Sequence, residues 1–133
     1  MTSKEKQQEL MFKFAMFEQQ INQLQEQLQA VEQARIETNL LNLGLDDLKD
    51  SKDKEILASI GKGILIKAKI TSENLIVDIG GKNLVQKSVS ETQNIIKSQI
   101  KKLEEIKKEL EEKLEEVNSE LLKIIKEVQE DQK

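Results

Sequence analysis

The chain has 133 residues, a formal net charge of −4 and a charged fraction of 35%, whereas only 2% of its residues are aromatic. It contains no histidine, cysteine, tryptophan, tyrosine or proline. This composition disfavours a rounded core, favours long uninterrupted helices, and removes the commonest catalytic bases, nucleophiles, transition-metal ligands and disulfides. No segment is strongly basic, so nucleic-acid binding is not expected. The start lacks the apolar core of a secretory signal and no apolar run reaches 18 residues, so we expect a cytoplasmic protein without a membrane span.

The first predicted element is a helix that extends from the N-terminus to about residue 50. Apolar residues recur in steps of four and three from Leu10 to Val31, which is the spacing of a coiled-coil seam. Beyond Val31 the seam is expected to continue through Ala34, Thr38, Leu41, Leu45 and Leu48. That path needs one extra step of three and a local overwinding of the supercoil. Thr2 and Glu5 are spaced as a capping box, and the charged run 50–54 is expected to end the helix.

The middle of the chain changes to a period of two, which is typical of strands. We predict four short strands, about 55–60, 64–70, 75–79 and 83–87, forming two β-hairpins with glycine-containing turns. Their apolar residues occupy both faces, and isolated hairpins are only marginally stable. We therefore expect the hairpins to join those of other subunits, although a small sheet packed on the helices of a monomer is the alternative. We call the residues expected to form this interface the platform residues: Ile64, Ile66, Ile70, Leu75, Val77, Ile79, Leu84 and Val85.

A second helix is predicted from residue 88 to the C-terminus. Ser88 and Glu91 are spaced as a capping box. The expected seam comprises Ile96, Gln99, Leu103, Ile106, Leu110, Leu114, Val117, Leu121, Ile124 and Val128. Two consecutive steps of four at Leu110 predict a stutter in the supercoil. The acidic residues between seam positions lack EF-hand spacing, and they indicate a solvated helix face rather than a cation site.

These elements predict a mainly α fold with a small β part. It is an antiparallel two-helix coiled-coil hairpin with two β-hairpins inserted between the helices. We expect a single domain over 1–133, made of a coiled-coil helix (1–50), the hairpins as an oligomerisation platform (55–87) and a returning coiled-coil helix (88–133). The glycine clusters lack phosphate-loop spacing. Neither an enzymatic activity nor a cofactor or metal is expected.

All three aromatic residues, Phe12, Phe14 and Phe17, lie near one end of the first helix with Met11 and Met16. At about 100° per residue, Phe14 and Phe17 lie on the seam, whereas Phe12 lies about 170° and Met16 about 130° from its centre. A two-stranded coil cannot bury Phe12 or Met16, so we expect an interaction surface rather than an accidentally exposed helix end. We call its seven predicted residues the terminal cluster: Met11, Phe12, Phe14, Met16, Phe17, Leu122 and Ile125.

The order of helix, two hairpins and helix resembles the α-type subunit of prefoldin, the jellyfish-shaped chaperone of archaea and eukaryotes. The most specific part is Glu55–Thr92, EILASIGKGILIKAKITSENLIVDIGGKNLVQKSVSET. It is similar to the family's strand, glycine turn and strand, followed by a VDVG-like strand and an EKS-like entry to the second helix. Two hairpins are characteristic of the α type, since β-type subunits carry one. The family often has proline late in the first strand, where this chain has Ser59, and the fold should tolerate that difference.

The resemblance implies a hetero-hexamer of two α and four β subunits held by a double β-barrel of hairpins. It also implies that the distal ends of the coiled coils capture unfolded polypeptides without ATP and deliver them to a group II chaperonin. A scaffolding coiled coil whose apolar tip binds one defined folded partner stays open as an alternative. Insertion of the first helix at a membrane surface is disfavoured, because its polar face is mainly Gln and Glu rather than Lys and Arg.

Overall fold

The computed structural model describes residues 3–131 and contains two long helices with two small antiparallel β-hairpins between them, which confirms the predicted fold class. The elements are α1 (Ser3–Asp46), β1 (Glu55–Gly61), β2 (Ile64–Lys69), β3 (Leu75–Asp78), β4 (Leu84–Lys87) and α2 (Val89–Asp131). Each strand boundary lies within one residue of its predicted position. The capping box predicted at Thr2 lies outside the described residues.

Helix α1 ends four residues before the predicted boundary. The backbone N–H groups of residues 47–49 donate to carbonyl oxygens three residues earlier, at 3.1–3.2 Å, which is the tighter pattern of a helix end. Asp50 then takes a left-handed conformation with φ of 58°. The buried Ser51 donates its hydroxyl to the Leu48 carbonyl oxygen. The helix therefore ends before the charged run, and the chain leaves it through a turn that satisfies its last carbonyl groups and includes the first two residues of that run.

The chain divides into two compact units. The first comprises Met1–Arg35 and Lys102–Lys133, and the second comprises Ile36–Lys101. In the first unit α1 and α2 bury a seam that includes Leu10, Leu24, Val117 and Ile124. In the second unit, Leu45, Val89 and Ile96 form a buried cluster, with Leu48, Leu75 and Ile100 packed against it. Each unit thus has its own apolar centre.

The seam is more regular than the sequence predicted. Leu41, Gln99 and Ile106 were expected on it, but all three are exposed. The neighbouring residues Asn42, Ile100 and Lys107 are partly buried in their place. In the middle of α1 the seam consists of Val31, Arg35, Thr38, Asn42 and Leu45. In the middle of α2 it consists of Ile96, Ile100, Leu103, Lys107 and Leu110.

These residues keep alternating steps of three and four along both helices. The predicted overwinding in α1 and the predicted stutter in α2 are therefore wrong. The physical reason is that polar side chains hold seam positions. The long stems of Arg35 and Lys107 can cover apolar surface while their charged ends reach water. Asn42 buries its side-chain oxygen without a hydrogen-bond partner.

Both hairpins use the turn geometry that their glycines predict. In the first, Lys62 and Gly63 both have positive φ, 48° and 77°, as a two-residue type I′ turn requires. The register shifts between Ser59 and Gly61, which leaves Ile60 as a bulge. The second hairpin pairs Leu75–Asp78 with Leu84–Lys87 in regular antiparallel register.

Helix α2 begins at a cap close to the predicted one. The Glu91 N–H donates to the Ser88 hydroxyl oxygen at 3.1 Å, as an N-cap requires. The Ser88 hydroxyl in turn donates to the Glu91 carboxylate at 3.1 Å. In a standard capping box, the Glu91 carboxylate would instead accept a hydrogen bond from the backbone N–H of Ser88. Behind this turn, the Gln93 amide donates to the Asn42 carbonyl at 3.2 Å and to the Asp46 carboxylate at 2.6 Å, which joins α2 to the end of α1.

Candidate functional site

The position of each residue around the helix determines which members of the terminal cluster reach solvent. Leu10 is buried in the seam, and Phe14 and Phe17 are partly buried beside it. Phe12 and Met11 are about two-thirds exposed, at 67% and 69%. The exposure expected for Phe12 and Met16 is therefore present, and the seam contact expected for Phe14 and Phe17 is present as well.

One open groove between α1 and α2 exposes Phe12 and Met16. It has a volume of about 550 Å³, and its lining also includes Leu10, Phe17 and Ile124. Met16 is 45% exposed, and Phe17 and Ile124 form part of the seam beneath it. An aromatic ring and a flexible thioether thus lie beside a partly open seam. Both side chains offer apolar area without needing a hydrogen-bond partner of their own.

The rim of this groove is charged. Lys13 lies 3.6 Å from Glu9 on α1, and Lys123 lies 3.4 Å from Glu120 on α2. Glu127 also lines the groove. These exposed pairs contribute little to stability, but they keep the apolar surface narrow and surround it with groups of both signs.

A second groove lies on the other side of Leu10. It has a volume of about 270 Å³ and is lined by Leu10, Met11, Phe14, Ile125, Val128 and Gln129. Leu122 is exposed and precedes Ile125 by three residues, which places it on the same side of α2. The predicted terminal cluster is therefore two apolar surfaces separated by the seam. The helical angles alone contained this signal, because Met11 and Phe12 lie on different sides of the seam.

A polar layer crosses the same helix pair at Glu32. Arg35 donates to both carboxylate oxygens of Glu32, at 3.1 and 2.6 Å, and the ammonium of Lys107 on α2 lies 3.2 Å from one of them. These contacts, with the Arg35 hydrogen bonds contributing most, lower the pKa of Glu32 from 4.5 to about 2. Because Arg35 and Lys107 hold seam positions, this layer links α1 to α2 by charge where an apolar contact is missing.

The platform residues fall into two groups in the second unit. Ile64, Ile66, Ile79 and Leu84 are exposed, which leaves them available for contacts with another chain. Ile70, Leu75, Val77 and Val85 are partly buried, and Leu75 packs on the cluster formed by the helices. Leu65 and Ile76, on the opposite faces from the platform residues, are exposed as well, as expected for strands that are aliphatic on both faces. The sequence analysis did not identify the exposed Leu57 or the exposed Ile60 in the bulge.

Within residues 3–131, no group of three or more acidic, histidine or cysteine side chains is placed to hold a metal ion. Over the same residues, no helix is both long enough and apolar enough to span a membrane.

Comparisons with known proteins agree with this architecture. A family model described as prefoldin subunit matches residues 17–133. Among solved structures, 13 chains match. One of them, the filamentous PFD of Methanocaldococcus jannaschii determined by cryo-EM, superimposes with a TM-score of 0.77 at 20% sequence identity, over 86% of this chain and 97% of that one. A search of curated protein sequences found no match.

Proposed function

Since the chain belongs to the prefoldin family, we propose that it is a chaperone subunit that binds unfolded polypeptides through the terminal cluster without ATP. Prefoldins are chaperones and not enzymes. The observation that carries the proposal is the exposure of Phe12 and Met16 over an open groove beside the seam. Large apolar side chains that are exposed together at one place usually mark an interaction surface.

The residue types suit a binder of many sequences. Methionine adapts its shape to irregular partners, and phenylalanine adds a large apolar area. Two separate grooves let one helix pair hold two apolar side chains of an extended client, one on each side of Leu10. Burying one such client side chain contributes roughly 1.5–3 kcal/mol before ordering costs. A single subunit therefore binds weakly, and several subunits on one assembly raise the apparent affinity through effective concentration.

The presence of two hairpins supports the finer part of the proposal, that this is an α-type subunit. Its partners are then β-type subunits in a hetero-hexamer of two α and four β chains, joined through the platform residues. Clients pass from this hexamer to a group II chaperonin in the cytoplasm. The exposed aliphatic side chains of both hairpins support an assembly of this kind, because a lone chain leaves them in water.

The charged rim of the larger groove favours a second candidate function. Pairs such as Glu9–Lys13 and Glu120–Lys123 can match complementary charges on one folded protein and give specificity. The chain would then be a scaffold that retains a single partner at a fixed ratio.

Suppression of aggregation tests the proposed function. The chain, alone and mixed with a one-hairpin prefoldin subunit, is first measured for mass, and the resulting assembly is added to a denatured protein diluted into buffer without ATP. We expect light scattering to fall in proportion to the assembly added. A chain that assembles and leaves scattering unchanged contradicts the proposal.

A further inference from the structure

Helix α1 carries a second apolar surface that faces away from α2. Ile36, Leu40 and Leu43 are 44%, 62% and 64% exposed. Their steps of four and three place them on one line along the helix, about 180° from the buried Leu45. We call these three residues the outer stripe. All of them lie in the same compact unit as the hairpins.

The outer stripe begins at Ile36. The equivalent outward positions in the preceding heptads are polar, namely Gln19, Asn22, Glu26, Gln29 and Gln33, and apolar residues return to these positions only at Ala15 and Phe12, near the other end of α1. A coiled-coil helix normally keeps these positions polar because they are the most exposed. The change to three large aliphatic residues at Ile36 therefore indicates a covered surface in the second unit.

Gly44 lies beside the outer stripe and supports the same conclusion. Glycine weakens a helix relative to alanine, so its use needs a reason. Residues 3–131 supply no steric reason, since a Cβ atom at Gly44 would meet nothing within 4 Å. The missing side chain leaves room next to Leu40 and Leu43 for another backbone to approach closely.

We propose that the outer stripe binds the first hairpin, β1–β2, of a second copy of this chain. One face of that hairpin carries exposed Leu57 and Leu65, with Lys67 directly opposite Leu57 in the strand register. The acidic residue Asp47 lies one turn beyond Leu43, at the end of the outer stripe. An apolar face with a basic neighbour thus meets an apolar stripe with an acidic neighbour.

The areas favour a second copy over an unrelated protein. Three half-exposed to two-thirds-exposed aliphatic side chains offer on the order of 300 Å², so a one-way contact buries only about 600 Å² over both partners. In a two-fold dimer each copy gives its hairpin to the stripe of the other, and the contact occurs twice. The total of about 1,200 Å² then reaches the lower limit of stable interfaces. The inference rests on the subunit assembly proposed above, and it adds a helix surface to an interface otherwise made of strands.

Cross-linking between copies tests this contact, because the chain has no cysteine of its own. Full-length Leu40→Cys chains are mixed with Lys67→Cys chains, allowed to assemble, and treated with a short bismaleimide. The matched control replaces Leu40→Cys with Glu26→Cys, which has the same outward position two heptads earlier. We expect the cross-linked yield with Leu40→Cys to exceed the control at least tenfold. Equal yields in an oligomer of confirmed mass overturn the inference.

A second pair of variants tests the same contact without cysteines, because two cysteines can be too poorly placed to cross-link even where the contact exists. Leu40→Lys/Leu43→Lys should raise the concentration at which the oligomer dissociates at least tenfold, while Gln19→Lys/Asn22→Lys, with the same spacing and charge, should leave it unchanged. Circular dichroism confirms that both retain their helices.

If neither the cross-link nor this shift appears in an oligomer that suppresses aggregation, the inference is wrong and the proposed function stands. If the cross-link forms but scattering is unchanged, the inference stands and the proposed function is wrong. A chain that stays monomeric in every mixture overturns both.

Discussion

Replacing Phe12 and Met16 by serine should weaken client binding without unfolding the helices. In the structure the two side chains are 67% and 45% exposed, so most of their apolar area is in water before a client arrives. The double variant Phe12→Ser/Met16→Ser removes that area from the larger groove and leaves the buried seam residue Leu10 in place.

The expected loss follows from the exposed area. Full burial of such a side chain contributes about 1.5–3 kcal/mol, so the exposed fractions correspond to about 1–2 kcal/mol for Phe12 and about 0.7–1.4 kcal/mol for Met16. Ordering each side chain costs about 0.5–1.5 kcal/mol, or about 2 kcal/mol for the pair at the middle of this range, which leaves a net contribution of about 0.6 kcal/mol. The dissociation constant of a single subunit should therefore rise roughly threefold. An assembly that uses several subunits should lose more.

Fluorescence anisotropy with a labelled, permanently unfolded polypeptide measures this change. The matched control is Gln19→Ser/Gln23→Ser, which substitutes the same two helical positions one heptad further along. Because exposed substitutions usually change the free energy of unfolding by less than about 0.5 kcal/mol, both variants should keep the helix content and thermal midpoint of the parent. A double variant that binds the polypeptide as tightly as the control does would refute the assignment of Phe12 and Met16.

Three further predictions concern the helix pair and its caps. Leu24→Ala should lower the free energy of unfolding by about 2–3 kcal/mol in urea titrations. This loss is near the low end for a buried leucine because a groove of about 240 Å³ already lies beside the side chain. An unchanged free energy of unfolding would mean that the seam is not packed at Leu24. Since Arg35 and Lys107 lower the pKa of Glu32 from 4.5 to about 2, its stabilising contribution is present above about pH 4.5 and is lost as the pH falls towards 2. Urea titrations from pH 6 to 2 should therefore show a shallower decline for Glu32→Gln, whereas identical slopes would contradict this pairing. Ser88→Ala should cost about 1 kcal/mol through loss of the N-cap, and Ser88→Asp should restore it; equal stability of all three chains would exclude the cap.

The strands and their turns could be predicted from the sequence because each residue type there has one strong physical role. Positive φ costs least for glycine, and Gly63 therefore indicates where the first hairpin turns. Alternation of apolar and polar residues then fixes the strand on either side. Which face of each strand packs on the helices was not predictable, since both faces are aliphatic. Leu75 turns towards the helix cluster, whereas Ile76 faces solvent.

The middle of the coiled coil was predicted wrongly for the opposite reason. A seam is recognised by its apolar residues, so Leu41 and Ile106 were assigned to it over their polar neighbours. The structure gives those positions to Asn42 and Lys107. An unbroken heptad repeat was the available signal, because it places Arg35, Asn42 and Lys107 on the seam without any irregularity. The seam then does not explain why Leu41 and Ile106 are apolar. Leu41 lies next to the outer stripe.

The central claim, that this chain binds unfolded polypeptides in general, is tested most directly with a panel of unrelated proteins. Each protein is presented to the assembled complex in its unfolded and its native form, without ATP, and the bound fraction is measured. We predict binding to every unfolded form, no binding to the native forms, and a parallel loss in Phe12→Ser/Met16→Ser. Retention of one native protein at a fixed ratio, with no binding to the unfolded panel, would contradict the claim and identify the chain as a scaffold.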